Sequence, residues 1–200
     1  MRRRGLAPPE IESGAGRGGF VQPLPADDAL ALAWCDRGHA ITIATAVGDA
    51  PLQAARDRAA NADLPAAARR SAAWWTDYAS SLPTLDLPDA RLMRLYRYQT
   101  FKFAGLTHPH GLSATLQGPW MEDYQLPPWS NDYHFNINLQ LCYWPALSLG
   151  KPEHLGPLWN MVESWLPRLR EIGEAFFGTP GALMLPHATD DRCQPIGTFW

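Results

Sequence analysis

The chain is poor in the features that organise a fold by covalent or ionic means. It has only three cysteines, Cys35, Cys142 and Cys193, an odd number with no CxxC spacing. That excludes a disulfide framework and a cysteine zinc site as organising principles. Charged residues make up 18% of the chain and the net charge is −3, which argues against a nucleic-acid binder or a polybasic membrane protein. No run approaches the roughly 18–20 apolar residues needed to span a bilayer. The six histidines show no metal-ligand spacing, so neither a metal nor another cofactor is expected. The basic start, Met1-Arg2-Arg3-Arg4, is followed by Gly5-Leu6-Ala7-Pro8-Pro9-Glu10 rather than by an apolar segment. As written it is not a secretory signal, and a cytoplasmic location is the default expectation.

What is abundant is apolar and aromatic. Hydrophobic residues make up 46% of the 200, with nine Trp and nineteen Pro. That is enough for a sizeable core. So many Trp in a chain of low charge point either to that core or to a cleft for flat, hydroxylated ligands.

Residues 1–27 are rich in Gly and Pro without hydrophobic period, and read as disordered or as residual loop. Two β-like runs follow, Ala29–Cys35 and Ala40–Val47, with Asp36-Arg37-Gly38-His39 between them as a hairpin turn. Two strands alone are marginally stable in water, so residues 28–53 are expected to belong to a larger sheet. From Ala54 the pattern turns helical: Ala54–Ala62 and Ala66–Ser80, separated by Pro65, then Asp89–Leu106 with Pro88 and Asp89 at its start. Thr107–Tyr133 reads as a long irregular segment. A short helix over Asn136–Trp144 and an amphipathic one over Leu155–Ile172, kinked at Pro167, complete the pattern. There is no internal repeat.

Long structureless loops inside compact domains are usually functional. This one carries Gln117, Trp120, Glu122, Asp123, Trp129, Asn131, Asp132, Tyr133 and His134, and runs into Phe135-Asn136-Ile137-Asn138-Leu139-Gln140. Indole planes suit the C–H face of a pyranose, and amides and carboxylates match its hydroxyls in pairs. The plainer alternative is that Trp120 and Trp129 anchor the loop and the asparagines cap a helix.

Gly111-Leu112-Ser113-Ala114-Thr115-Leu116-Gln117-Gly118-Pro119-Trp120 resembles a signature of glycoside hydrolase family 95, which contains the inverting α-L-fucosidases. So do Pro127-Pro128-Trp129-Ser130-Asn131-Asp132-Tyr133-His134-Phe135-Asn136-Ile137-Asn138-Leu139-Gln140 and Tyr143-Trp144-Pro145-Ala146. The likeness extends more weakly back to Trp74-Trp75 and forward through Leu185-Pro186-His187. It implies a mainly α chain: an incomplete (α/α)6 barrel, or six-hairpin toroid, over residues 83–200. Before it would come linker helices over 54–82 and the last strands of a β-sandwich over 28–53.

By the same resemblance Asn136 and Asn138 would be catalytic, orienting the attacking water. The activating carboxylate and the general-acid Glu would lie downstream, and inversion needs such a pair about 6.5–9.5 Å apart. Trp120, Trp129, His134, Gln117, His187 and Asp190 are the expected substrate-binding residues. His134 either orients the asparagine pair or bonds backbone, and His187 either touches sugar or is structural. The sequence departs from the fucosidase motif at Leu141-Cys142, where Met-Asn precedes the Tyr-Trp pair, a change bearing on sugar specificity rather than fold.

Twelve barrel helices of about 11–12 residues with connections of about 4–6 need roughly 200 residues, more than follow Pro83. The expectation is a truncated barrel, with a carbohydrate and the missing barrel part as partners, and neither nucleic acid nor membrane. Full-length, it would be a glycoside hydrolase; the alternative is a non-catalytic sugar-binding remnant. A phosphorylase ranks last, because no Arg accompanies Asn136–Asn138 to hold phosphate.

Overall fold

A computed structural model describes residues 7–25, 27–119 and 127–197. Helix predominates, with a small antiparallel sheet, and the chain divides into two compact units, residues 1–80 and 81–200.

The first unit is a four-stranded antiparallel meander with helices after it. Its strands are β1 (Glu10–Gly14), β2 (Arg17–Gln22), β3 (Leu30–Asp36) and β4 (Ile41–Val47), hydrogen-bonded in that order. The β3–β4 hairpin turns where Asp36-Arg37-Gly38-His39 predicts, with Leu30 opposite Val47 and Asp36 opposite Ile41. Disorder or loop over residues 1–27 does not hold for residues 10–22, which form β1 and β2. The glycines that read as loop signals make room instead. A Cβ on Gly18 would lie 2.1 Å from the Trp34 ring, which crosses its cross-strand partner. Helix α1 (Pro51–Ala60) covers one face of the sheet through an all-small contact of Ala31, Ala33, Ala46 and Ala55, edged by Val21 and Leu52. Helix α2 (Leu64–Ser80) carries Pro65 in its first turn, where the missing N–H costs nothing. Trp74 stacks on its one buried residue, Tyr78, at 5.4 Å, and Trp75 meets both rings edge-on.

The second unit is built on α3 (Ala90–Leu106), α4 (Asn138–Tyr143), α5 (Pro145–Ser148), α6 (Gly156–Ser164) and α7 (Leu166–Phe177), with a two-stranded ribbon of β5 (Tyr133–His134) and β6 (Ala188–Thr189). Asp89 caps α3 by accepting from the Arg91 N–H at 2.7 Å, satisfying a donor the helix cannot. The kinked helix expected over Leu155–Ile172 is two helices broken at Trp165. Pro167 sits in the first turn of α7 rather than bending a continuous helix. The indole of Trp165 is buried at that break and donates to the Asp191 carbonyl at 3.1 Å. Around it lies the core of this unit: Ala114, Tyr133, Leu139, Tyr143, Leu169 and Cys193. Burial raises the Cys142 and Cys193 thiols above their usual range; both are packing residues rather than nucleophiles. Among the described residues no helix is long and apolar enough to cross a membrane, and no group of three or more His, Cys, Asp or Glu is placed to hold a metal.

Candidate active site

The motif-bearing segment is held by a small set of polar contacts. Tyr143, on α4, accepts a hydrogen bond at its hydroxyl from Ala114 N at 2.8 Å and lies 3.2 Å from the Ser113 hydroxyl. Asn131 then fastens the next stretch, accepting from Gln117 N at 2.8 Å and donating to the Gly118 carbonyl at 3.1 Å. Leu116 N donates to the Asp132 carbonyl at 3.0 Å. Thus residues 113–118 lie against residues 131–133, directly before the Asn-x-Asn sequence.

Between Pro127 and Asp132 the backbone makes a left-handed turn. Trp129, Ser130 and Asn131 have φ of 49°, 57° and 57°. Each such non-glycine residue costs roughly 1–2 kcal/mol, and strain of this kind collects at ligand sites. The turn presents Trp129 outward, 64% exposed, with its indole stacked on the His134 imidazole at 5.0 Å and 14°.

His134 sits in β5 beside β6, and Phe135 N donates to the His187 carbonyl at 2.7 Å, so the two histidines are brought together by backbone pairing. Their Nε2 atoms are 3.0 Å apart, with the rings nearly perpendicular at 86°. The other nitrogen of His134, Nδ1, lies 3.2 Å from Oδ1 of buried Asp132. A buried carboxylate needs such a donor, because unpaired charge is costly away from water. The result is an Asp132–His134–His187 chain beneath an exposed Trp.

Asn136 is exposed and Asn138 half-buried at the first residue of α4. The asparagines come two and four residues after His134, and the Gln140 side chain holds the turn by donating to the Phe135 carbonyl at 2.7 Å. The structure therefore gathers Trp129, His134 and His187, with Asn136 and Asn138 on the adjoining segment. Gln117 borders a different space, an open groove of about 520 Å³ between α3 and α4–α5, lined also by Phe103, Leu141 and Cys142. Asp190 is engaged in its own turn, its Oδ1 accepting from Arg192 N at 2.9 Å and Gln194 N at 2.8 Å. Trp120, Glu122 and Asp123 lie outside the described residues.

The sequence places Asp132 in the candidate loop, but not as the partner of His134. The signal was available in Asp132-Tyr133-His134, since alternate residues of a strand share a face.

Comparison with known proteins now gives the class. The family described as "Glycosyl hydrolase family 95 catalytic domain" matches residues 61–192. The chain belongs to that family. It is 43% identical over 86 residues to the "Probable alpha-fucosidase A" of Aspergillus niger (strain ATCC MYA-4892 / CBS 513.88 / FGSC A1513), covering 42% of this chain and 11% of that protein. It is 30% identical over 112 residues to the "Alpha-L-fucosidase 2" of Arabidopsis thaliana, covering 53% and 13%. The matched segments thus span about an eighth of these relatives' length. No solved structure matches the chain.

Proposed function

We propose that the second unit is the water-side half of a glycosidase cleft acting on an α-L-fucoside or a similar sugar with inversion. The observation that carries this reading is the exposed Trp129 ring, stacked on His134 and immediately followed by Asn136 and Asn138. In it, Trp129 takes the C–H face of the sugar, His134 and His187 meet hydroxyls, and the two asparagine amides orient the attacking water. An amide is a poor base, so a carboxylate has to raise the nucleophilicity of that water and a second acid has to protonate the leaving oxygen. Family membership and the fucosidase names of the relatives support the substrate class.

Helices α3–α7 are read as part of an (α/α)6 barrel. Leu92, Leu95 and Phe101 on α3, Leu147 on α5 and Trp159 on α6 are exposed, and exposed large apolar side chains suit burial against covering elements. Those covering elements would be the remaining barrel helices.

One observation favours a second reading, sugar binding without bond cleavage. Of the carboxylates in the described site, Asp132 is engaged by His134 and Asp190 by backbone N–H groups. Turnover of an aryl α-L-fucoside by the chain and by its Asn138→Ala variant separates these outcomes. Turnover that collapses in the variant supports the hydrolase. Equal rates remove Asn138 from the mechanism, and binding without turnover by either chain favours the second reading.

A further inference from the structure

We propose that Gln140 is a positioning residue: its side-chain amide clamps the peptide that leads into Asn136, and so sets where the Asn136 and Asn138 amides stand. This rests on the sugar-site reading above for what those two amides do.

Both ends of the asparagine segment are anchored. On one side β5 pairs with β6, and Phe135 N donates to the His187 carbonyl at 2.7 Å. On the other, Leu139 and Tyr143 bury α4 in the core. Between them Asn136 and Ile137 are exposed, so burial does not hold the turn. A helix cap does not hold it either, because the residue before α4 is Ile137, which has no side-chain acceptor for the first N–H groups. Among the described residues the side chain that closes the span is Gln140, whose Nε2 donates to the Phe135 carbonyl at 2.7 Å. That carbonyl belongs to the Phe135–Asn136 peptide, so the bond fixes the plane from which Asn136 departs. Asn138 opens α4 two residues before Gln140, and the ring closed from 135 to 140 therefore spans both asparagines.

The residue type points the same way. Gln140 is the third residue of α4, a position where Glu or Gln ordinarily accepts from the N–H of the cap residue. Here the bond runs in the opposite sense, from the amide to a carbonyl, which a carboxylate cannot reproduce. For the helix alone a Glu would serve as well or better, since negative charge suits the first turn. The donor serves the asparagine turn. Among the described residues no protein group takes up the Asn136 or Asn138 amide, so the backbone beneath them is what orients them.

The experiment compares the labelled 200-residue chain with Gln140→Glu and Gln140→Lys. Without ligand, the parent is expected to show a scalar coupling across the hydrogen bond from Gln140 Nε2 to the Phe135 carbonyl carbon; its absence overturns the clamp. In Gln140→Glu the thermal midpoint should hold or rise while affinity for L-fucose falls roughly fivefold, the equivalent of one net hydrogen bond. Unchanged affinity overturns the positioning role, and so does a loss that only follows a loss of stability. Gln140→Lys restores an N–H donor and should recover most of the affinity. A loss as large as that of Gln140→Glu would assign the effect to side-chain shape and overturn the clamp. If the parent does not bind L-fucose, the sugar reading fails instead. The ligand-free coupling, and the shift of the Asn136 backbone amide expected in Gln140→Glu, then test the clamp independently; an unmoved Asn136 amide overturns it.

Discussion

The indole of Trp129 lies nearly parallel to the imidazole of His134, 5.0 Å between ring centres and 14° between planes, on a backbone turned left-handed at Trp129 itself. Placement of this ring has therefore been gained against a local backbone cost.

That cost can be recovered by mutation. Trp129→Gly removes the ring and relaxes a positive φ, so it should leave stability equal or raise it by about 1 kcal/mol. It should also weaken L-fucose binding roughly tenfold, the scale of an aromatic platform worth about 1.5 kcal/mol. Thermal unfolding and a sugar titration on the same variant check both halves. Trp129→Ala should lose the binding without the gain in stability.

Tyr143→Phe tests how the loop is tied to the motif helix. It strips the acceptor from the buried Ala114 N–H and the partner from Ser113. A buried donor left unpaired costs about 1–3 kcal/mol. Hydrogen exchange at the Ala114 amide should accelerate, while secondary structure by circular dichroism should hold.

Gly173 faces the segment after α7 at close range. A Cβ there would lie 2.5 Å from the Ala182 carbonyl oxygen, which is backbone and cannot rotate away. Gly173→Ala should cost about 1–3 kcal/mol as an overpacked contact, despite the better helix propensity of Ala. Chemical denaturation of the variant and the parent gives the difference.

His154 provides a pH signature. It is fully buried against Phe103 at 4.9 Å, with Nδ1 3.0 Å from the Thr107 hydroxyl, which itself donates to the Phe103 carbonyl at 2.7 Å. Burial lowers its pKa from the ordinary 6.5. The unfolded chain therefore binds a proton more readily than the native one. Stability attributable to His154 is present above the ordinary pKa and falls as pH drops through 6.5 towards the lowered native value. His154→Asn, which keeps a donor without the titration, should flatten the acid side of the unfolding profile; a profile as steep as the parent's would count against this assignment.

Much of this is legible in the sequence, and the reasons differ by element. Asp89 and the 3–4 spacing after it predict α3 because a cap and an apolar stripe are local signals, and the helix runs Ala90–Leu106 with Asp89 capping. Strands β1 and β2 were hidden because Gly18 serves close packing under Trp34, and a side chain reduced to hydrogen leaves no alternation to read. The break at Trp165 was hidden because residues on both sides keep one apolar period. At the site, the Asn136–Asn138 motif stood out, whereas the partnership of His134 with His187 spans 53 residues and depends on the β5–β6 pairing of two residues each. Asp190 carries the right chemistry for a sugar contact, but its carboxylate folds back on the Arg192 and Gln194 N–H groups.

The central claim, that the surface around Trp129 and the Asn-x-Asn segment is the sugar site, is tested most directly by titrating the 15N-labelled chain with L-fucose and following its amide and indole signals. Shifts are expected to concentrate at the Trp129 indole and at the side-chain amides of Asn136 and Asn138. Shifts confined to the groove lined by Phe103, Leu141 and Cys142, or none at saturating sugar, would contradict it.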